Sequence, residues 1–149
     1  SHEDILVFYK SLPTYNPQMT TGQPLHGKGT SYKNKDVTNN CYGDIKGTED
    51  DRKGSTEKYP TSIVRFQKPH PSCAVHPTQK SVELCEWLIK TYTNEGETIL
   101  DNCMGSGTTG VAAINTDRNF IGIELTEKYF KIAEDRINSA VEDKRCQLF

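Results

Sequence analysis

The sequence lacks a long apolar stretch. No run of about 18 or more apolar residues occurs, so we expect no membrane-spanning helix. The opening residues, SHEDILVFYK, also lack the basic region, apolar core and small-residue cleavage site of a signal peptide. From the sequence we therefore expect neither a transmembrane segment nor a leader.

An excess of positive charge is missing as well. Lys and Arg number 18 against 20 Asp and Glu, which gives a formal net charge of -2 and an isoelectric point near 6.1. A histone-like or strongly cationic binder is excluded, because it needs a field of one sign. Hydrophobic residues make up only 34% of the 149 residues, and the mean hydropathy is -0.70. This apolar share is low, so we expect part of the chain to have no packed interior.

Cysteine pairing motifs are also absent. The five cysteines are an odd number, lie far apart and form no CxxC pair. Free thiols in a reducing, cytoplasmic compartment are therefore the favoured interpretation. His70, Cys73 and His76 form an HxxCxxH pattern, with Cys41 as a candidate fourth zinc ligand. Three prolines stiffen this stretch and His76 belongs to a second motif, so we expect no metal.

Hydrophobic patterning divides the chain into three parts. Residues 4–9, DILVFY, predict a buried strand, to which we assign residues 1–12. Residues 13–75 are poor in aliphatic side chains and rich in turn formers, with one short strand predicted at 61–66. A long irregular segment of this kind is usually functional or disordered. Residues 76–149 carry regular periodicity.

The periodicity of the third part predicts three helices and two strands. Apolar residues at helical spacing run from Val82 to Tyr92, with Thr78 as the expected N-cap and Gly96 as the stop. The β-α-β-α order after this first helix is typical of a parallel, right-handed α/β unit. The later elements are a strand at 97–101, a helix from about Thr108 to Asn115, a strand at 119–125, and a helix that begins near Thr126 and turns Tyr129, Ala133, Ile137 and Val141 to one face.

The densest motif is DNCMGSGTTG at residues 101–110, which places GxGxxG between a predicted strand and a predicted helix. Such a loop lets a ligand approach the backbone and the N–H groups of the helix. Glu124 follows at the end of the next strand, where a nucleotide fold carries a ribose-binding carboxylate. The plainer alternative is a structural glycine turn with a surface glutamate. Strand, loop, helix and acid together favour a nucleotide-type cofactor site.

The charge of Asp101 indicates which cofactor to expect. A carboxylate at the end of the first strand would repel the pyrophosphate of a dinucleotide. It would suit a cofactor that carries a positive ammonium or sulfonium group. The sign of the charge therefore favours S-adenosylmethionine over NAD or FAD, with an NAD-binding oxidoreductase segment as the alternative.

Three motifs resemble those of the DNA amino-methyltransferases that modify adenine at N6 or cytosine at N4. They are HPTQK at 76–80, DNCMGSGTTG at 101–110 and GIEL at 122–125, in the order of the β class, where the target-recognition region precedes the cofactor motifs. DILVFYK at 4–10 looks like the late strand before that region. The resemblance implies an α/β fold: a partial Rossmann-like S-adenosylmethionine-dependent methyltransferase with a long irregular insert.

The resemblance implies roles in the cofactor site. The backbone of the glycine loop would cradle the methionine part, Asp101 would lie near its amino group, and Glu124 would bond the ribose hydroxyls. Lys80 would be a charge-assisted partner of the carboxylate. The expected cofactor-binding residues are Thr78, Gln79, Lys80, Asp101, Met104, Gly105, Ser106, Gly107, Thr108 and Glu124.

The sequence departs from the family at several positions. Asn102 and Cys103 replace the usual proline and phenylalanine, and Ser81 replaces the last proline of HPTQKP. The family's catalytic Asp/Asn/Ser-Pro-Pro-aromatic motif, which holds and stacks on the flipped base, has no counterpart because no Pro-Pro occurs. In the β order this motif would precede residue 1.

We therefore expect the cofactor-binding and target-recognition parts of a prokaryotic or phage-type DNA methyltransferase, with no catalytic residue and no activity alone. A missing N-terminal half or a second subunit would be its partner. The alternative is a non-catalytic half of a split or degenerate methyltransferase that binds cofactor or DNA.

Residues 13–75 occupy the place of the target-recognition region, so we expect double-stranded DNA as a partner. Their basic, aromatic and amide side chains could reach phosphates and bases. A solvated loop is the alternative, and the acidic run at 49–51 fits phosphate contact badly. The candidate DNA-binding residues are Lys28, Tyr32, Lys33, Lys35, Tyr42, Arg52 and Lys53.

Overall fold

The computed structural model describes residues 3–24, 37–39, 43–45, 55–68, 70, 72, 75–76 and 78–147. The chain forms two compact units, one of Ser1–Gln18 with Ser62–Phe149 and one of Met19–Thr61. In the described part, no helix is long and apolar enough to cross a membrane. The elements are β1 (Thr20–Thr21), β2 (Val37–Asn39), β3 (Gly43–Ile45), β4 (Glu57–Lys58), α1 (Val82–Tyr92), β5 (Thr98–Asp101), α2 (Thr108–Asn115), β6 (Asn119–Gly122) and α3 (Glu127–Cys146).

The larger unit is built on the parallel pair β5 and β6. Ile99 lies opposite Phe120 and Asp101 lies opposite Gly122, and α2 connects the two strands. A parallel pair needs such a crossover, because the chain must return to the starting end of the sheet. The predicted β-α-β-α unit is therefore confirmed, with strands slightly shorter than the sequence indicates.

Only one face of this strand pair is covered by the described residues. Ile99 and Phe120 pack against a buried cluster of Ile89, Ala112 and Ala113 from α1 and α2. On the other face the intervening side chains are open, with Leu100 63% and Ile121 54% exposed. Parallel sheets are normally buried on both faces, so this apolar face is unpartnered in the described part of the chain.

Helix α1 begins later than the sequence predicts. Its N-cap is Ser81, whose hydroxyl accepts a hydrogen bond from the Leu84 N–H at 3.2 Å. The predicted cap, Thr78, is wrong, because its hydroxyl bonds His76 Nδ1 at 3.1 Å, upstream of the helix. A serine at this position satisfies an N–H group that would otherwise have no partner.

A distant segment closes the other end of α1. The Asn16 backbone N–H donates to the Thr91 carbonyl at 2.7 Å, and its side-chain amide donates to the carbonyls of Lys90 and Thr93. The rings of Tyr15 and Tyr92 lie 6.2 Å apart. Asn16 thus satisfies carbonyl groups that a helix C-terminus leaves open.

Arg118 joins the ends of α1 and α2. Its side chain is buried, with 8% of the residue exposed, and donates to the Thr93 carbonyl at 2.8 Å and to the Thr93 hydroxyl at 3.2 Å. A third bond goes to the Thr116 carbonyl. One guanidinium therefore satisfies three acceptors where two helices end.

Two predicted strands are not found. Residues 4–9 and 61–66 form no hydrogen-bonded ladder, and Phe8 and Ile63 are 87% and 73% exposed. An apolar, β-rich run becomes a strand only where another backbone pairs with it. Neither run belongs to a strand pair in the described ranges, so the prediction of a buried strand at 4–9 and of a strand at 61–66 is wrong.

The described residues of the smaller unit include four short strands that the sequence did not indicate. In the antiparallel pair of β1 and β4, Thr20 lies opposite Lys58. In the antiparallel pair of β2 and β3, Val37 lies opposite Ile45. These pairs fall within the predicted recognition region 13–75. The candidate DNA-binding residues lie outside the described residues: Lys28, Tyr32, Lys33, Lys35, Tyr42, Arg52 and Lys53.

We predict that Arg118→Met lowers the free energy of unfolding by about 3 kcal/mol, because it removes the guanidinium donor of the Thr116 carbonyl and two bonds to Thr93 while it keeps the apolar stem. Urea unfolding measures the change. Arg145→Met, at an exposed position near the end of α3, is the matched control and should change stability by less than about 0.5 kcal/mol. Equal effects of the two substitutions would contradict a role for Arg118 in joining the helices.

Candidate cofactor-binding site

The glycine loop, residues 102–107, leaves the carboxyl end of β5 and is held to the chain that follows β6. The Ile123 N–H donates to the Asp101 carbonyl at 2.8 Å, and the Met104 N–H donates to the Ile123 carbonyl at 3.0 Å. The backbone ladder therefore continues past both strands. Ligands of open α/β sheets bind at this carboxyl edge.

Two loop glycines adopt left-handed backbone conformations. Gly105 has φ of 53° and Gly107 has φ of 74°, which side chains disfavour. Gly107 is the N-cap of α2 and offers no side-chain bond to the helix. The first N–H groups of α2 thus receive no side-chain cap from Gly107, and the open N–H groups of a helix N-terminus attract an anion.

Glu124 lies beside this loop, as the sequence predicts. Its carboxylate accepts hydrogen bonds from the Gly105 N–H at 2.9 Å and from the Thr126 N–H at 2.8 Å. The bond from Thr126, with that from Gly105, lowers the pKa of Glu124 from its usual value. Each carboxylate oxygen keeps a further lone pair for a ligand hydroxyl.

Asp101 lies at the end of β5, opposite Gly122 in the register. Its carboxylate accepts a hydrogen bond from the Cys103 N–H at 3.1 Å, which turns the chain into the loop. Asp101, Gly105 and Glu124 therefore meet at one edge of the sheet. The adjacent Cys103, which replaces the family's phenylalanine, is exposed.

The HPTQK segment reaches the loop through its histidine. The His76 ring lies 3.7 Å from the position that a Cβ of Gly105 would take. The same ring meets Tyr129 of α3 edge to face, with ring centroids 4.4 Å apart. His76 thus lines the loop and Tyr129 packs against its ring, although the sequence did not place either among the expected site residues.

Thr78 and Gln79 use their side chains within their own segment. The Thr78 hydroxyl bonds His76 Nδ1, and Gln79 Oε1 accepts from the Val75 N–H at 3.0 Å. Both residues therefore hold the turn that presents His76 to the loop. Their predicted contacts with a cofactor stay predictions.

Lys80 pairs with a residue from the start of the chain. Its ammonium lies 2.6 Å from Glu3 Oε2, and Lys68 lies 2.9 Å from Glu3 Oε1. The hydrogen bonds from Lys80 and Lys68 lower the pKa of Glu3 to about 2. Lys80 has further donors, so its predicted bond to a cofactor carboxylate stays a prediction.

Three predicted site residues turn their side chains into the protein. Met104, Ser106 and Thr108 are 9%, 3% and 6% exposed. Their burial orients the backbone of the loop, which agrees with a site that contacts a ligand through N–H and C=O groups.

Arg136 of α3 is a loop contact that the sequence did not reveal. Its guanidinium donates to the Ser106 carbonyl and lies 3.4 Å from the Thr108 hydroxyl. Little in the sequence indicated this contact. Arg136 and Ser106 are 30 residues apart, and local spacing carries no information on such a pair.

No group of three or more metal-ligating side chains occurs in the described ranges. Cys41 and Cys73, two of the candidate zinc ligands in the sequence, lie outside those ranges. The expectation of no metal therefore stays a prediction.

Comparison with known proteins identifies the family. A family model described as DNA methylase, for N6 and N4 methyltransferases, matches residues 1–135. The type II methyltransferase M2.DpnII of Streptococcus pneumoniae is 49% identical over 67 residues, which is 45% of this chain and 25% of that protein. DNA adenine methyltransferase YhdJ of Escherichia coli K12 is 43% identical over 65 residues, 44% of this chain and 22% of that protein. A crystal structure of an M1.HpyAVI–SAM complex is 54% identical and covers 42% of this chain and 33% of that one, with a TM-score of 0.41.

The chain belongs to the DNA methylase family, because the family model covers most of it. This confirms the amino-methyltransferase resemblance and the partial Rossmann-like methyltransferase fold, and it favours a methyltransferase over an NAD-binding segment. The chain spans about a quarter of the length of the curated relatives named above.

We predict that Gly107→Ala destabilises the protein by about 2 kcal/mol more than Gly96→Ala. Both glycines have positive φ, but a Cβ at Gly107 would lie 2.8 Å from the Ala133 Cβ, whereas a Cβ at Gly96 meets nothing within 4 Å. Gly96→Ala therefore reports backbone strain alone, and the difference reports the collision with α3. Urea unfolding of both variants measures it, and equal losses would show that α3 does not constrain the loop.

Proposed function

We propose that this chain binds S-adenosylmethionine at the edge formed by Asp101, the glycine loop and Glu124, as the cofactor-binding and target-recognition part of a DNA N-methyltransferase. The contact between Glu124 and the Gly105 N–H carries the proposal, because it joins two separate family motifs into one site. The relative M1.HpyAVI has been crystallised as a complex with SAM, which supports the same cofactor.

The polar groups at this edge complement the cofactor's charges. Glu124 accepts hydrogen bonds, which suits the two ribose hydroxyls. Asp101 suits the ammonium of the methionine part, and the N–H groups that open α2 suit its carboxylate. The two acids thus lie at the adenosine end and at the amino-acid end of one ligand.

The cofactor would supply an electrophilic methyl group to the exocyclic amine of adenine or cytosine. The residues of this chain contribute binding and orientation, since a held donor and acceptor react far faster than free ones. No residue here is assigned to catalysis, because the chain has no Pro-Pro-aromatic motif.

We further propose that methyl transfer requires a polypeptide segment that carries this motif, and that double-stranded DNA is the substrate. Two features of this chain support the proposal. It spans about a quarter of M2.DpnII, and the apolar face of Leu100 and Ile121 is open in the described part of the chain. A non-catalytic half that senses cofactor or DNA is the second candidate, which the missing motif favours. The bacterial relatives support a prokaryotic cytoplasmic setting.

We predict that the chain binds S-adenosylhomocysteine in isothermal titration calorimetry and does not bind NAD. Glu124→Gln should weaken this binding about tenfold or more, because it removes a charged acceptor. Glu127→Gln, an exposed carboxylate in the first turn of α3, is the matched control and should bind like the unaltered chain. Binding of NAD in place of S-adenosylhomocysteine would overturn the proposed cofactor.

We also predict that the chain alone transfers no methyl group from S-adenosylmethionine to DNA. Transfer should begin when a polypeptide with an Asp/Asn/Ser-Pro-Pro-aromatic motif is added, and radiolabelled methyl incorporation measures it. Glu124→Gln in the reconstituted pair controls for a contaminating enzyme and should reduce the rate. Activity of the chain alone would contradict the assignment of catalysis to another segment.

A further inference from the structure

One face of α3 forms the wall behind the glycine loop. Tyr129, Ala133, Arg136 and Ile137 share this face, because their spacing is that of one side of a helix. Ala133 is fully buried, and a Cβ at Gly107 would lie only 2.9 Å from the Ala133 Cα. The loop therefore lies directly on the backbone of α3.

Arg136 is the polar member of this face. Its guanidinium donates to the Ser106 carbonyl and approaches the Thr108 hydroxyl at 3.4 Å. The side chain is half-buried, and burial lowers the pKa of Arg136 from its usual value. Within the described ranges, no carboxylate forms an ion pair with Arg136, and its hydrogen-bond partners there are a carbonyl and a hydroxyl.

The place of this cation is unfavourable for stability. The first turn of a helix carries partial positive charge, and Thr108 is the first residue of α2. Partial burial of an unpaired cation adds a desolvation cost. The helix dipole and the desolvation cost both disfavour a guanidinium at this place. Arg136 is therefore explained better by the loop peptide that it holds in place than by its own contribution to stability.

The bond from Arg136 fixes the central peptide of the loop. A peptide unit is planar, so a fixed Ser106 carbonyl also fixes the Gly107 N–H in the opposite direction. This N–H donates to the Met104 carbonyl at 2.8 Å. Both polar groups of the peptide are therefore occupied, and the next N–H groups are those of the first turn of α2.

We propose that Arg136 is a positioning residue of the cofactor site: it locks the Ser106–Gly107 peptide so that the N–H groups of the first turn of α2 face the amino-acid end of the ligand. This inference rests on the proposed function. Through Arg136, helix α3 behind the loop would control how the loop binds the methionine part of the cofactor.

The test compares two ligands. S-adenosylhomocysteine carries the amino-acid end, whereas 5′-methylthioadenosine has the adenosine and lacks that end. Calorimetry of the full chain should show that Arg136→Met weakens S-adenosylhomocysteine about tenfold and 5′-methylthioadenosine less than about twofold. Arg136→Lys, which keeps one donor, should show a smaller loss with the same selectivity. Arg145→Met, an exposed arginine of the same helix, should bind both ligands normally.

A general structural role for Arg136 would weaken both ligands equally, and this result would overturn the inference. Unchanged binding of S-adenosylhomocysteine by Arg136→Met would also overturn it. If circular dichroism shows that Arg136→Met does not fold, Arg136→Lys decides by the same comparison. If the unaltered chain does not bind S-adenosylhomocysteine, the proposed function and this inference are overturned together. If the unaltered chain binds it normally but the Arg136 variants show no difference between the two ligands, the inference alone is overturned.

Discussion

The parallel pairing of β5 and β6, and its continuation beyond both strands, is the constraint on which the site depends. The ladder runs on through Ile123, so the loop after Asp101 is fixed to the chain that precedes Glu124. Two acids separated by a whole helix therefore meet without a direct bond between them. The buried side chains of α1 and α2 cover one face of the pair and hold this alignment. The chemistry of the site follows from the backbone register more than from any single side chain.

Local periodicity predicted α1 and α3 because each of them carries apolar residues at helical spacing in its own sequence. The glycine loop and Glu124 were predictable for a related reason: a strand, a tight turn and a helix impose their own residue types. Glu124 lies beside the loop, where its carboxylate accepts a hydrogen bond from the Gly105 N–H. Roles in binding a ligand stay predictions, since they depend on contacts with a second molecule.

The strands, the cap of α1 and the role of Arg136 escaped prediction for different reasons. Residues 4–9 and 61–66 have strand composition, yet pairing depends on another backbone, which composition does not specify. Thr78 and Ser81 are both acceptable caps, and the hydrogen bond between Thr78 and His76 decided between them. Arg136 reaches a loop 30 residues away, so its role depends on how α3 packs. The strands and Arg136 thus depend on contacts between distant segments, whereas the cap depends on a contact only two residues away.

The chain segments before and after residues 19–61 both contact α1, and these contacts affect how freely residues 19–61 can vary. Asn16 bonds the end of this helix, and Phe66 lies 6.4 Å, ring to ring, from Trp87 in its middle. The chain before residue 19 and the chain after residue 61 are therefore both anchored to the same helix, α1. Loop-closure entropy grows only with the logarithm of length, about 0.6 kcal/mol for each doubling. Insertions, deletions or wholesale exchange of residues 19–61 therefore cost the cofactor-binding unit little, and sequence in that interval is free to diversify.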